Sequence, residues 1–517
     1  MRRRAALELL AFAALAAAGL ELNAGRQAGG RWLPRLGALP GYDTYVYVAM
    51  AEQPRVFTTP PWGFRLLTPL LVHALPVHQG RGFRLVTWSA LGFAAVCLGL
   101  FLRRAGFPLA LAATGVAIFA LAPPAGLLLA NPFLVDPVTV ALAAGFLLAV
   151  QAQAGLGTLA LLAALGTLSK ELTLVLLPAV FFARREERGV RGALRDALLV
   201  AAPCCLLLVS LRAWAPWAGG PRIALDLDAL RNLLAALAVN GGDWLLFGGL
   251  GPLALLGALS PATRPLLRSY GVVLLVLLAL PFLYTLPYPA STVFLAGDLP
   301  RYAVYPLLLL LPLALSPLRR LLRAGEAPVP GHAPRAALQR ALYGLALALS
   351  LLPLALDPYR RAELDGRVGA RLLDLVRKGR GAAEALAGGR QVVLDAGETS
   401  AWARQDELVY ELGWFFGRGW SLTPERAVRM AAPEAVLLVP LLAPRALGLE
   451  LELEADTTVP LTVALNGAPV GRVPAGPGGV RSRLRLPARA LFRGDNLLTL
   501  TREDATEVRF HAATLRP

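Results

Sequence analysis

Long uninterrupted apolar runs constrain this chain more than any other feature. Ala197 to Leu211 and Val272 to Leu286 contain no charged residue. With their flanks, such runs approach the roughly 20 residues needed to cross a bilayer core. Charged residues make up 16% of the 517-residue chain, against 56% hydrophobic. A soluble globular chain carries about a quarter charged residues. The chain therefore reads as a polytopic α-helical membrane protein.

The net charge of +17 would point to nucleic acid in a soluble protein. Here the arginines fall in loops between apolar runs, as the positive-inside tendency requires, and nucleic-acid binding is set aside. The two lysines are Lys170 and Lys378. Cys97, Cys204 and Cys205 lie in apolar segments, with neither zinc-site spacing nor a geometry that favours bridging. No cysteine follows them, so the C-terminal part has no disulfide framework.

The pattern predicts about eleven membrane helices. They lie near 5–22, 83–102, 107–123, 134–152, 156–169, 171–183, 196–215, 243–260, 269–286, 302–318 and 338–356. Arg2, Arg3 and Arg4 precede the first run, which is read as a retained helix rather than a cleaved signal because later segments then alternate consistently. With the N-terminus inside, Arg103 and Arg104, Arg184 to Arg195, Arg264 and Arg268, and Arg319 to Arg335 all fall on the cytoplasmic side. Residues 62–78 are expected to lie on the outer surface. The transmembrane domain spans 1–356 with a first outer loop at 23–82, and 357–389 reads as a helical linker.

After residue 390 the period becomes two. Leu447, Leu449, Leu451 and Leu453 alternate with Gly448, Glu450 and Glu452; Leu461, Val463 and Leu465 lead into Asn466-Gly467, a hairpin-turn signal. Residues 390–517 are expected to form an extracytoplasmic antiparallel β-sandwich.

Ionisable groups near membrane segments are costly and mark candidate sites. Asp43, in Gly41-Tyr42-Asp43-Thr44-Tyr45-Val46-Tyr47, is a candidate general base or else an N-cap. Asp136 and Asn131 fall at one turn, where Asp136 is either a site group or a helix cap. Lys170, in Ser169-Lys170-Glu171, is either a phosphate contact or half of a Lys–Glu pair that breaks the hairpin. Arg301 lies just before the tenth helix with Asp298 nearby, and Arg65 and Arg84 are further outer cations. An anionic lipid headgroup would account for such a gathering.

These pieces, in this order, resemble the GT-C superfamily of polyprenyl-phosphate-sugar-dependent glycosyltransferases over roughly residues 5–318. The resemblance rests on Gly41-Tyr42-Asp43, Pro61-Trp62-Gly63-Phe64-Arg65-Leu66-Leu67-Thr68-Pro69, Arg84-Leu85, the Asp136 turn, Ser169-Lys170-Glu171, and Arg301-Tyr302 with Pro306. It implies Asp43 as catalytic base. It also implies donor phosphate contacts from Lys170, Arg301 and Arg65, with Asp136, Asn131, Arg84, Asp298 and Tyr47 in supporting or substrate roles. The donor would be a lipid-linked sugar, and the acceptor an envelope glycan, lipid or protein, at the outer face of a bacterial cytoplasmic membrane. Many members pair two acids in the first loop. Here Thr44 follows Asp43 and Glu52 is the next acid, so no metal ligand is assigned and a divalent ion stays open. The C-terminal part resembles β-sandwich modules of some bacterial members through the segment Gly413 to Trp420. Trp414 and Trp420 there either stack on glycan or fill the core. Two rival readings are a lipid-linked glycan flippase and a non-enzymatic envelope assembly protein. The first would need polar groups at mid-membrane.

Overall fold

The computed structural model describes residues 2–28, 47–48, 50–51, 54, 64–214, 230–231, 233–234, 250–283, 291–323, 337–338, 341, 344–345, 348, 378–379, 381–396, 415–416, 419–422, 427–492 and 494–517. The chain divides into two compact units, one helical and one built of strands.

The helical unit begins with α1 (Arg2–Ala28), α2 (Leu67–Ala74), α3 (Gln79–Arg104), α4 (Leu109–Leu121), α5 (Pro123–Ala130), α6 (Asp136–Gln151) and α7 (Leu156–Ser169). A 3-10 turn, Glu171–Leu176, leads into α8 (Pro178–Trp214); α9 (Gly251–Ala258), α10 (Arg264–Leu283) and α11 (Ser291–Arg323) follow. Five of the described helical stretches are long and apolar enough to cross a membrane, or six if α4 and α5 form one bent span. These spans make the chain a membrane-spanning protein. The count falls short of about eleven expected because α6 and α7 are shorter apolar helices and α9 has eight residues.

Local chemistry explains the breaks. The 44° bend between α4 and α5 falls at Pro123-Pro124. Proline has no N–H, so Pro124 leaves the Ala120 carbonyl without its helical donor. The Asn23 amide of α1 donates to that carbonyl at 2.9 Å and to Ala122 at 3.0 Å, meeting the need for internal pairing where no water is available. In α8, Gly189 has φ 65° and ψ 172°, outside the helical region. Arg184 nevertheless pairs with Asp196 at 3.0 Å. Twelve residues of straight helix would separate them by about 18 Å, so the two arms fold back at Gly189. The residues expected as a cytoplasmic loop, 184–195, are thus helical on both sides of a sharp hinge. Gly257 brings α9 against the backbone of α11: an added Cβ would lie 1.9 Å from the Leu313 oxygen, the close approach that small residues allow between membrane helices.

Polar contacts gather at the two ends of these helices. At one end Arg103 pairs with Glu8, the Arg319 guanidinium lies over the Phe107 ring, and Tyr270 donates to Gln151 at 2.9 Å. At the other end, Arg301 of α11 meets Asp136 at the start of α6. From Arg301 to Arg319 the helix rises about 27 Å, close to the roughly 30 Å of a hydrocarbon core.

The strand-built unit runs from β1 (Val392–Asp395), β2 (Trp420–Leu422), β3 (Val428–Met430), β4 (Glu434–Leu441) and β5 (Leu447–Ala455) to β6 (Val459–Leu465), β7 (Ala468–Ala475), β8 (Val480–Leu486), β9 (Gly494–Arg502) and β10 (Val508–Arg516). A six-stranded sheet has the order β2-β3-β10-β5-β8, with β1 also on β10; a four-stranded sheet has the order β4-β9-β6-β7. The described strand pairs are antiparallel. Leu449 and Leu451 of one sheet and Leu461, Val463, Leu498 and Leu500 of the other share one hydrophobic core. Asn466 (φ 51°) and Gly467 (φ 83°) form the tight turn between β6 and β7, where both central residues need a positive φ.

Candidate functional site: a buried ionic cluster

Asp136 opens α6 just ahead of Pro137, and no side-chain cap bond forms there. Its carboxylate turns inward instead and is fully buried. One oxygen, Oδ1, accepts from Lys170 Nζ at 2.7 Å and from the Tyr305 hydroxyl at 2.7 Å. The other, Oδ2, accepts from Arg301 Nε at 2.8 Å. Lys170 ends α7 in an extended conformation (φ −163°, ψ 134°), which releases its side chain from the helix wall. Its ammonium lies 4.8 Å from the Tyr302 ring centroid, and the Arg301 guanidinium lies 5.8 Å from the same ring. A tyrosine face between two cations stabilises both through its quadrupole.

A second pair adjoins the first in sequence. Glu171 accepts from Arg65 Nε at 3.2 Å and Nη2 at 2.7 Å, a two-pronged carboxylate contact. The hydroxyls of Thr139 and Ser169 bridge α6 and α7 at 2.8 Å. Thr68 Oγ1, also buried, makes no hydrogen bond among the described residues.

The cluster revises several expectations. Lys170 and Glu171 do not pair with each other: Lys170 goes to Asp136 and Glu171 to Arg65, because the extended backbone at Lys170 sends adjacent side chains apart. Asp136 is neither a cap nor an open acid, since both its oxygens receive charged donors. The segment Asp298 to Tyr302 lies inside α11 rather than before it, and the carboxylate on Arg301 is that of Asp136. Arg84 is a half-buried residue of α3, Asn131 is half-buried at the end of α5, and Tyr47 is buried. The side chain of Asp298, and Asp43 and Trp414 entirely, lie outside the described residues. Trp420 is a core residue of the strand unit: it is buried, donates to the Val436 carbonyl at 2.7 Å, and packs edge-on against Phe416 and Phe510. It offers no open face to a sugar.

Sequence reasoning missed Tyr305 and the Arg65–Glu171 pair. A signal for the first existed, since Tyr305 stands four residues after Arg301, on the same helix face. None existed for the second, whose partners are 106 residues apart. Among the described residues no group of three or more His, Cys, Asp or Glu is placed to hold a metal ion. Chemically, the cluster is an assembly of cations held in fixed positions by two carboxylates at one end of the helices. No family model matches the chain, and no curated protein matches it.

Proposed function

We propose that this chain is a membrane glycosyltransferase of the GT-C type, using a polyprenyl-phosphate sugar at the extracytoplasmic face of a bacterial cytoplasmic membrane. The observation that carries the reading is the buried gathering of Lys170, Arg301 and Arg65 around Asp136 and Glu171. It stands at the end of α11 remote from Arg319, Arg320 and Arg323. Arginine-rich ends face the cytoplasm, so the cluster faces outward. A glycosyl phosphate leaves behind a phosphate anion, and cations fixed before the reaction stabilise that charge without reorganising.

In the proposed step, Asp43 takes the proton of the acceptor hydroxyl. The hydroxyl oxygen bonds to the anomeric carbon from the face opposite the phosphate. The bond from that carbon to the phosphate oxygen breaks, and the polyprenyl phosphate departs with the electron pair, inverting the anomeric centre. Asp136 positions Lys170 and Arg301, and its occupied oxygens leave the base role to Asp43. The acceptor is an envelope glycan, a lipid or a protein.

The test is mass spectrometry of polyprenyl-phosphate sugars and envelope glycans in cells with and without the gene. The reading expects a donor to accumulate and one glycan to lose a sugar in its absence. Unchanged donor and glycan pools would reject it.

A further inference from the structure

The outward face of the six-stranded sheet carries an ordered lattice of charges. Along β5, Gly448, Glu450, Glu452 and Glu454 share this face, opposite the buried leucines. Three of the four positions are glutamates, and each has a cation on a neighbouring strand. Glu454 meets His511 at 2.6 Å, Glu452 meets Arg481 at 2.9 Å, and Glu450 meets Arg483 at 3.1 Å and Arg516 at 3.3 Å. The fourth position is Gly448, which pairs with Arg485 of β8 on one side and Arg516 of β10 on the other. Adjacent strands lie about 4.8 Å apart, so these arginines flank an open notch about 10 Å wide. Arg485 makes no ion pair or hydrogen bond among the described residues, and it is exposed, as is Gly448.

Backbone geometry does not demand glycine at 448. Its φ is not positive, and an added Cβ would meet only the Arg516 Cβ at 3.7 Å, an ordinary contact. Glycine within a strand costs about 0.5–1 kcal/mol relative to alanine, and it often marks the close approach of a ligand. Charge on an edge strand such as β8 discourages pairing between sheets. Arg481 and Arg483 serve that need while neutralised by their own glutamates, whereas Arg485 faces the gap.

The geometry points to a carboxylate-binding notch at Gly448, in which the uronate group of an acidic glycan takes the place of the missing fourth glutamate between Arg485 and Arg516. Guanidinium and carboxylate match in charge and in planar geometry. Around the notch the face presents charged groups and no large apolar side chain, which fits a hydroxyl-rich glycan better than a peptide needing side-chain pockets. The inference is independent of the chemistry proposed for the helical unit.

The experiment measures binding of tetragalacturonate to the full-length protein in neutral detergent at low ionic strength, with maltotetraose and tetraglutamate as comparison probes. Tetragalacturonate is expected to bind and maltotetraose not. Truncating one partner of a charged contact weakens binding about tenfold or more, and R485Q is expected to do so. G448E, which builds the fourth glutamate into the notch, is expected to have the same effect, and G448A to bind as the parent does. R485Q alters an exposed side chain, so the test stands even if G448E folds poorly. Failure of the parent protein to bind tetragalacturonate would overturn the inference, as would undiminished binding by R485Q. Equal binding of tetraglutamate would assign the notch to an acidic peptide and overturn the glycan.

Discussion

The Lys170 ammonium and the Asp136 carboxylate lie 2.7 Å apart with both side chains fully buried, although 34 residues separate them. A charge removed from water is tolerated only where a partner and further hydrogen bonds compensate it. Arg301 and Tyr305 supply those bonds to Asp136, and the Tyr302 ring backs the two cations. Asp136 is therefore the residue on which the cluster depends.

Asp136→Ala removes the carboxylate between two buried cations. Breaking a buried pair from one side destabilises by about 3–5 kcal/mol. Thermal unfolding of the purified protein in detergent is expected to show a loss of that order. Glu171 is 28% exposed, so Glu171→Gln is expected to cost only about 1–2 kcal/mol. Equal losses at the two sites would contradict the ranking.

Tyr305→Phe deletes one donor to Asp136 and keeps the ring. A hydrogen bond to a charged group contributes about 1.5–3 kcal/mol. The variant is expected to lose stability within that range and to keep the Lys170–Asp136 pair. A double-mutant cycle of Tyr305→Phe with Asp136→Asn checks this, because the two effects must be non-additive. Full additivity would show that Tyr305 does not act through Asp136.

Asp43 and Asp136 are expected to fail in different ways. Asp43→Asn should leave folding and insertion intact while sugar transfer falls about 10²–10⁴-fold, the usual contribution of a positioned base. Asp136→Asn should lower stability and donor affinity together. Transfer rates and donor binding measured on both variants separate the two roles. Near-normal transfer by Asp43→Asn would place the base elsewhere.

Asn496 organises the strand unit. It is fully buried; its amide donates to the Val439 and Phe492 carbonyls at 3.2 and 2.9 Å, and its oxygen accepts from Phe492 N and from the Asn466 amide. Asn496→Leu is expected to destabilise this unit by about 2–4 kcal/mol, since each buried polar group left unpaired costs about 1–3 kcal/mol. The loss of the cooperative β-sheet transition in circular dichroism of the full chain reads this out. An unchanged transition would refute it.

Glu507 sets the pH response of the outer sheet face. Hydrogen bonds from Arg509 and Arg429 hold its carboxyl below the ordinary value. A depressed folded-state value means that the unfolded chain binds the proton more readily. The stabilisation is thus complete above the ordinary carboxylate range and is lost as pH falls through the folded value. Glu507 is 37% exposed, so the effect is at most about 1 kcal/mol and weakens with salt. Acid titrations of stability should show a shallower limb for Glu507→Gln than for the parent at low salt, and the same limb for both at high salt.

Much of the architecture was legible in one dimension. Apolar runs announced the membrane helices because lipid admits only backbone that satisfies its own hydrogen bonds. The alternation of Leu447 to Leu453 announced β5, and Asn466-Gly467 announced the turn between β6 and β7, because side-chain period and positive φ are local properties. Lys170, Arg301, Arg65 and Asp136 stood out because charge near lipid requires a reason. Helix number was less legible: α9 and α7 have the composition of spans without the length, and the hinge at Gly189 interrupts no apolar pattern.

What the sequence by itself determined is which segments enter the membrane, which form strands, and which residues carry charge into apolar surroundings. Tertiary structure alone decided the pairings. Lys170 turns away from Glu171 toward Asp136 and Arg301, Glu171 takes Arg65, and Trp420 enters the core instead of facing outward. Hydropathy and periodicity are sums over neighbours in the chain. An ion pair depends on the direction of two side chains brought together by packing, across 165 residues for Arg301 and Asp136, and that direction is absent from any local pattern.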